Sequence, residues 1–475
     1  MQTITDHLFD DETMRRFLVD GYVVVKADLP DGVHAGIHRG VEEMIAAHGN
    51  LGNNILPLIP EIGQVFDHPA VRGAMTSILG RGYVMHPHRY CHRNPPGSEG
   101  QGFHKDTYEP DVEATHPRCR WAMAFYYPQD TSADMGPSAI LPGSQYYETS
   151  EAAHEQPELP LCGEAGTVAI IHYDLWHRAS PNRSNRQRYM LKFLFERTTE
   201  PSRPSWRNAY PGWTAPAGNP GRHQGLYEQL WHWNRGAGAA RKSGPVNGKT
   251  AEALAGDLLG GDERTRIDAA FELGALGGDA LALLAAALEA GSRETGRHAA
   301  IGLSSLGGAA VPRLVEALEH DSSRVRADAA YALADLGPAV WQDLLHADTN
   351  ARRSAVTALT AVLGDESDQV RSNAAEALGT IGDPPPESVD GLAGLLGDRD
   401  ITVRDNAARA LARMGPAAEG AVPALVRALR DENRYVRFHA GLALRRIGSP
   451  AAERALFEDL LTARWCPLTT AESPY

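Results

Sequence analysis

The carboxy-terminal half of the chain repeats itself, and this periodicity limits the available folds more than any other feature. The pattern R-x-x-A-A-x-x-L-x-x-hydrophobic-G occurs as Arg266, Ala269, Ala270, Leu273, Leu276 and Gly277, and returns with small variations from Arg326, Arg371, Arg404 and Arg437. A degenerate copy is anchored at Gly296 and ends at Gly307. Successive anchors lie 30, 30, 45, 33 and 33 residues apart, and the long interval has room for an additional helix around Arg352 to Leu363. Each copy follows a polar turn such as Asp431-Glu432-Asn433, and several follow an apolar stretch such as Ala421 to Leu429. A single helix pair cannot bury its apolar face, so neighbours must stack into a solenoid. Alanines let helices approach closely, leucines fill the space between layers, and the terminal glycine ends the helix in a left-handed conformation. The Arg and Asp before each second helix are expected to pair around their turn. A ladder of arginines for anions is the rival reading.

This repeat resembles the HEAT repeat of the short bacterial type. The chain before it has a different character. Asp11 is expected to cap a helix through about Val19, and Asp31 to open another through about His48 with Ile37, Val41, Met44 and Ile45 on one face. Candidate strands follow at Tyr83 to His92, Trp121 to Tyr127, Thr167 to His172 and Tyr189 to Phe195. Many short strands between Gly/Pro turns predict a sandwich or jelly roll, a rigid pocket into which ligands can project. The fold class is therefore multidomain: a double-stranded β-helix of jelly-roll type with flanking helices, then an all-α HEAT-repeat solenoid. The expected domains are 1–205, a Trp-rich lid or linker at 206–245, and the solenoid at 246–465.

Within the first domain, His104-Lys105-Asp106 is followed by His177 and, eleven residues later, by Arg188. Residues i and i+2 of an extended segment point to the same side, so His104 and Asp106 can approach one metal while Lys105 points away. Two imidazoles and a carboxylate form the facial triad that holds non-haem Fe(II) and leaves positions open for a co-substrate and O2. Arg188 begins an apolar run, where a guanidinium can grip a carboxylate in a bidentate fork. His172 is a rival third ligand, but it lacks the Asn and Arg that follow His177 as Asn182 and Arg188.

These residues carry a resemblance over roughly 1–205 to the phytanoyl-CoA dioxygenase family of Fe(II)- and 2-oxoglutarate-dependent oxygenases. It runs through GYVVVK at Gly21 to Lys26, NPPG at Asn94 to Gly97, the HKD triplet, MGPSAILPGSQ at Met135 to Gln145 and WHRASPNRSNRQR at Trp176 to Arg188. The resemblance implies His104, Asp106 and His177 as iron ligands and Arg188 as the clamp for the distal carboxylate of 2-oxoglutarate. It also implies Arg93 as a basic residue helping to bind the co-substrate. Members often carry a hydroxyl residue two positions after the last His; here that position is Ala179 and Ser180 is one step later. Gln145 stands where the family's PGSH has its His. The family's substrates range from CoA thioesters to amino acids, so the resemblance implies a small-molecule or carrier-bound substrate and no particular one.

Composition narrows the rest. In 475 residues, 46 Lys and Arg stand against 60 Asp and Glu, a formal charge of −14. With no Lys/Arg-rich run, a nucleic-acid partner is not expected. No apolar segment of about 18 residues and no amino-terminal apolar core are evident, so a cytoplasmic location away from membranes is expected. Cys91, Cys119, Cys162 and Cys466 are scattered without a CxxC pair; they read as reduced thiols, Cys162 being the expected core residue. Trp206, Trp213, Trp231 and Trp233 cluster after the first domain, either as a lid over the pocket or as mortar between domains, with Gly236 to Thr250 as the flexible part. His86, His88, Tyr90 and His92 share one face of a strand, as pocket lining or as polar edge residues. Ser144, Gln145 and Trp176 are either supporting or substrate groups. Two functions are open: a working dioxygenase whose solenoid recruits a substrate or protein partner, or an interaction scaffold whose oxygenase-like domain senses a ligand. A chain ending near Arg235 is expected to keep the metal site unless the Trp-rich segment needs the solenoid.

Overall fold

The structure, a computed structural model, describes residues 4–106, 117–154, 157–219, 221–238, 248–347, 350–382 and 385–462. Eight strands form its first half: β1 (Tyr22–Lys26), β2 (Val84–Asn94), β3 (Trp121–Tyr126), β4 (Ser138–Ile140), β5 (Leu159–Pro160), β6 (Thr167–His172), β7 (His177–Ala179) and β8 (Arg188–Glu196). They make a five-stranded sheet in the order β1-β6-β3-β8-β2 and a three-stranded sheet in the order β5-β4-β7. All pairs are antiparallel. The period of two sorts side chains into two layers. Met123, Phe125, Ile171, Met190 and Leu194 fill the space between the sheets with Ile140 of β4. Ala124, Tyr126, Val168, Ile170, Phe193 and Phe195 face the other way, against Ile37, Val41 and Ile45 of the Val33–His48 helix and Phe66. Every residue of β3, β6 and β8 is buried, the pattern of strands covered on both faces. This is the jelly-roll architecture with flanking helices.

Several local expectations change. The first helix, Asp11–Asp20, is capped by Asp10, whose extended backbone lets its carboxylate accept from Thr13 N. Asp11 turns inward and accepts from Trp206 Nε1, Asn208 Nδ2 and the backbone N–H groups of Ala209 and Tyr210. The Val33–His48 helix starts after Gly32, which is left-handed, without a cap from Asp31. Cys162 is exposed whereas Cys91 and Cys119 are buried, because Leu161 takes the inward position next to it. Cys466 and part of the Gly236 to Thr250 stretch lie outside the described residues.

The tryptophans pack as mortar. Trp206 and Trp213 lie 5.1 and 6.1 Å from Trp231, ring centre to ring centre. Trp231 Nε1 donates to Pro211 O and Trp233 Nε1 to Glu200 Oε2. Trp231 and Trp233 belong to the Gln224–Asn234 helix, which packs between the first helix of the barrel domain and the first repeats.

Beyond it, helices from Ala251–Gly260 to Pro450–Thr462 stack as the repeats require, and the long interval holds helices Pro338–His346 and Asn350–Ala361. The stretch Glu263–Ala290 is apolar and long enough for a bilayer by composition. It is divided at Gly277 into Glu263–Leu276 and Leu281–Ala290, each short of the roughly 20 residues a span needs. The repeat arginines do not pair around their own turns. Arg326, Arg371 and Arg404 grip Asp365, Asp398 and Asp431 of the next turn, each with Nε at 2.8 Å. Their Nη1 atoms donate to carbonyls of their own turn, His320, Asp365 and Asp398. Each of these three guanidiniums thus joins one repeat to the next, and their Nε and Nη1 donors are engaged within the protein.

The solenoid curls back onto the barrel. Glu196, at the end of β8, accepts from His439 Nε2 at 3.0 Å, while His439 Nδ1 meets Asp405 Oδ1 at 2.7 Å. Arg409 Nε stands 3.5 Å from the other Glu196 oxygen, and its guanidinium lies over Trp121. All of these groups are buried. Near the other end of the barrel, Glu263 of the first repeat accepts from Thr149 Oγ1 at 2.6 Å. A chain ending near Arg235 therefore loses more than a detachable module: the end of β8 and the inward face of Trp121 are uncovered.

Burial alone would lower the His439 pKa, but Asp405 and Glu196 outweigh it and raise it to about 10. A group raised above its ordinary value contributes stability in full below about pH 6.5, and that contribution is lost as pH rises through about 10. His439→Ala should cost about 3–5 kcal/mol at neutral pH, because Glu196 and Asp405 are left buried without their cation. Thermal denaturation followed by circular dichroism checks this. The unmodified protein should lose Tm between neutral pH and pH 10, and the variant should lose much less.

Candidate metal centre

Two backbone hydrogen bonds build the centre. His104 and His177 pair as an isolated bridge, each N–H donating to the other's carbonyl at 3.0 Å, so the rings stand side by side with centroids 4.6 Å apart. Asp106, two residues on from His104, places Oδ2 at 3.8 Å from His177 Nε2. One ligand atom from each of His104, Asp106 and His177 lies within 4.8 Å of the others, the spacing of groups that can share one ion.

The imidazoles are preset for this. His104 Nδ1 is 3.0 Å from Gly102 O and His177 Nδ1 is 2.9 Å from Leu175 O. A carbonyl only accepts, so each Nδ1 carries the proton and each Nε2 offers a lone pair. Burial, partly opposed by Asp106, pushes the His177 pKa down to about 4. That imidazole is neutral at physiological pH and available as a ligand.

The structure also brings in Lys192, which sequence reasoning missed. Its Nζ is 2.8 Å from Asp106 Oδ2, and both side chains are buried. The signal was available in the alternation of β8: Arg188, Met190 and Lys192 share a face, and a lysine within the otherwise apolar YMLKFLF has no bland use there. Burial lowers the Lys192 pKa and Asp106 opposes the shift.

Arg188 lies on the same inner face, with Nε and Nη2 donating to Gly136 O at 2.9 and 2.7 Å and Nη1 reaching His92 O at 3.4 Å. Gly136 has φ +66°, and a Cβ there would collide with Asn94 Nδ2 and the Ser180 carbonyl, which explains the glycine of the MGPS stretch. Asn94 Nδ2 donates to both Gly136 O and Ser180 O, and Asn182 Nδ2 donates to Asn94 O. Beside this frame, Ser180 Oγ and His92 Nε2 are buried without a hydrogen-bond partner.

Other expected residues fall elsewhere. Arg93 pairs with Tyr189 in register and is exposed; alternation sends it to the face opposite His92 and Asn94, so the structure does not bring it to the triad. His172 is on the face of β6 shared by Val168 and Ile170, with its ring against Tyr146. Gln145 donates to Leu18 O and Val19 O, Ser144 Oγ accepts from Trp176 N, and Trp176 Nε1 donates to Tyr147 O, all supporting roles. His86 is buried among Trp121, Tyr435, Phe438 and His439, while His88 Nδ1 meets Tyr435 OH at 2.6 Å. Those two serve the junction with the solenoid, and Tyr90 and His92 lie beside Lys192 and Met190.

Residues 17–190 match the family model of phytanoyl-CoA dioxygenase, and residues 252–336, 344–404 and 389–465 match HEAT repeats. Among solved structures, the chain is similar to the non-heme alpha ketoglutarate dependent carbocyclase SnoK from nogalamycin biosynthesis, at 16% identity over 42% of this chain and 88% of that one, TM-score 0.36. It is also similar to EctD from S. alaskensis with 2-oxoglutarate and 5-hydroxyectoine, at 16% identity over 42% and 82% of the chains, TM-score 0.35. AviO1 from Streptomyces viridochromogenes Tue57 is similar at 14% identity over 39% and 95%, TM-score 0.31. No curated protein matches the chain. The phytanoyl-CoA dioxygenase match thus covers the amino-terminal domain and the HEAT-repeat match the solenoid that follows it.

The geometry predicts one divalent-ion site. Titrating Co(II) anaerobically and following its visible absorption should give saturable binding that His104→Ala, Asp106→Ala and His177→Ala each abolish. His172→Ala should bind as the unmodified protein does. Binding lost with His172→Ala but kept with His177→Ala would place the ion elsewhere.

Proposed function

We propose that the protein is an Fe(II)- and 2-oxoglutarate-dependent dioxygenase that oxidises a C–H bond of a small-molecule or carrier-bound substrate. The observation that carries this reading is the convergence of His104 Nε2, Asp106 and His177 Nε2, with both Nδ1 atoms already tied to carbonyls. The donor set fits iron, and the buried, unpartnered Ser180 Oγ and His92 Nε2 fit a polar co-substrate beside it. When bound, Fe(II) with 2-oxoglutarate and O2 supplies the oxidising power, releasing succinate and CO2 while one oxygen atom goes to the substrate.

The chain's own part is placement. Asp106 is oriented by Lys192, and the two imidazoles by Gly102 O and Leu175 O. Arg188 and Ser180 take the distal carboxylate of 2-oxoglutarate, the guanidinium being held in position by Gly136 O. Phe125, 5.5 Å from the His177 ring, and the apolar layer between the sheets keep water from the inner side of the centre. The solenoid belongs to the same unit, since its last repeats cover the end of β8 and reach His88. Its remaining surface is open to recruit a substrate carrier or a protein partner.

Incubation of the Fe(II)-loaded protein with 2-oxoglutarate and an extract of its source organism should yield succinate and a product gaining oxygen, and Asp106→Ala should yield neither. Two variants separate the cations. Arg188→Ala should raise KM for 2-oxoglutarate roughly tenfold or more with little change in metal affinity, since it removes a charge-assisted fork. Lys192→Met should weaken metal affinity by roughly 10–100-fold, as expected for a group orienting a ligand. The opposite assignment of effects would exchange their roles. Because Asp106 fills the position that a halide would need, reaction in high bromide should give oxygenated and no brominated product by mass spectrometry.

A further inference from the structure

One indole touches both segments that supply the metal ligands. Trp176 directly precedes His177, and its ring lies against Lys105, whose Nζ stands 5.9 Å from the ring centre. Lys105 in turn sits between His104 and Asp106. The place of this indole is set by the loop after β4, where Ser144 Oγ accepts from Trp176 N at 3.1 Å and Tyr147 O accepts from Nε1 at 3.0 Å.

Tyr147 is held from outside the barrel. Its hydroxyl meets His223 Nε2 at 2.7 Å, and His223 Nδ1 meets Asp268 Oδ1 at 2.8 Å. His223 belongs to the segment between the domains, and Asp268 to the Glu263–Leu276 helix of the first repeat. Tyr147 and His223 are both buried, so water competes little for these contacts. His223 opens the Gln224–Asn234 helix, yet its side chain makes no cap there. With φ +55° it is the one non-glycine residue in the left-handed region among the described residues. Such a backbone is uncommon and persists only where its surroundings hold it. Here the ring that could have capped the helix goes between Tyr147 and Asp268. The same repeat helix grips the loop twice more: Glu263 accepts from Thr149 N at 3.2 Å and from Thr149 Oγ1 at 2.6 Å, and the Arg264 guanidinium lies 5.3 Å from the Tyr147 ring centre.

We propose that Asp268, His223 and Tyr147 are positioning residues for the metal centre. The first repeat holds Tyr147, Tyr147 holds Trp176, and Trp176 holds the two ligand segments at their spacing. Outer contacts of this kind orient metal ligands and tune the ion they bind. A displacement of the Glu263–Leu276 helix would therefore reach the ligands without touching them. The proposal rests on the site formed by His104, Asp106 and His177, and not on the reaction carried out there.

Nuclear magnetic resonance of the metal-free full-length protein, labelled with 15N-tryptophan, tests the first half. The indole N–H signal of Trp176, identified by its loss in Trp176→Phe, should shift and exchange with solvent several-fold faster in Tyr147→Phe and Asp268→Ala. His223→Asn should do the same, Asn being suited to the left-handed backbone but too short to reach both partners. Asp268→Asn keeps an acceptor for His223 Nδ1, and its signal should match that of the unmodified protein. Anaerobic Co(II) titration tests the second half. Asp268→Ala should lower affinity several-fold and alter the visible spectrum, and in a Trp176→Phe background it should add nothing to either effect. A contact that only stabilised the fold would lower Tm and move neither the indole signal nor the spectrum. An unmoved indole signal, or an equal loss of Co(II) affinity from Asp268→Ala with and without Trp176, would overturn the proposal. Unmodified protein that takes up no Co(II) would refute the metal centre itself and with it the second half, an outcome the indole signal keeps separate from failure of the contacts to Tyr147.

Discussion

One strand face carries three buried charges, and much of the molecule is arranged around giving each a polar partner. On β8, Arg188, Lys192 and Glu196 follow one another at intervals of four, all turned between the sheets and all buried. Burying an ion without a partner is prohibitive, and each finds a partner from a different part of the chain. Arg188 takes the carbonyl of Gly136 before β4, Lys192 takes Asp106 beside the metal centre, and Glu196 takes His439 of the solenoid. The opposite face of the same strand, Tyr189 to Phe195, is aromatic and aliphatic and holds the helical layer. A register shift of one residue would exchange the faces and bury the charges against Phe66 and its neighbours.

That arrangement makes the solenoid one unit with the barrel domain. Arg326, Arg371 and Arg404 each bind the acidic turn of the following repeat, so the stack is tied link by link towards the last helices. There Tyr435 and His439 meet the inner face of the five-stranded sheet. The tryptophan segment fixes the other side, with Asp11 holding Trp206 and Glu200 holding Trp233. The junction holds buried ion pairs and indole hydrogen bonds together, which specify one relative placement more strictly than apolar contact alone.

The chemistry of the centre follows from backbone geometry more than from the ligands themselves. The bridge between His104 and His177 sets the ring spacing, and the carbonyls of Gly102 and Leu175 set the tautomers. Hydrogen bonds to backbone groups are hard to alter by drift of side chains, and they leave Nε2 of both rings as the lone-pair nitrogen, that of His177 standing 3.8 Å from Asp106.

The sequence by itself determined the helix pairs and the alternating strands, because each depends on local periodicity, and it singled out His104, Asp106 and His177 by ligand type, which the fold brings together. It also indicated the tryptophan cluster as packed surface. Only the tertiary structure decided which charges meet. Lys192 approaches Asp106 across 86 residues and His439 approaches Glu196 across 243, contacts for which no local pattern exists. Arg93 read as a co-substrate group until strand register turned it outward, and the repeat arginines read as partners of their own turns until stacking offered the next turn's carboxylate. Periodicity fixes which face a residue occupies relative to its neighbours in the chain. Which partner waits on that face is set by sheet register and helix stacking, and those arise only when the chain is packed.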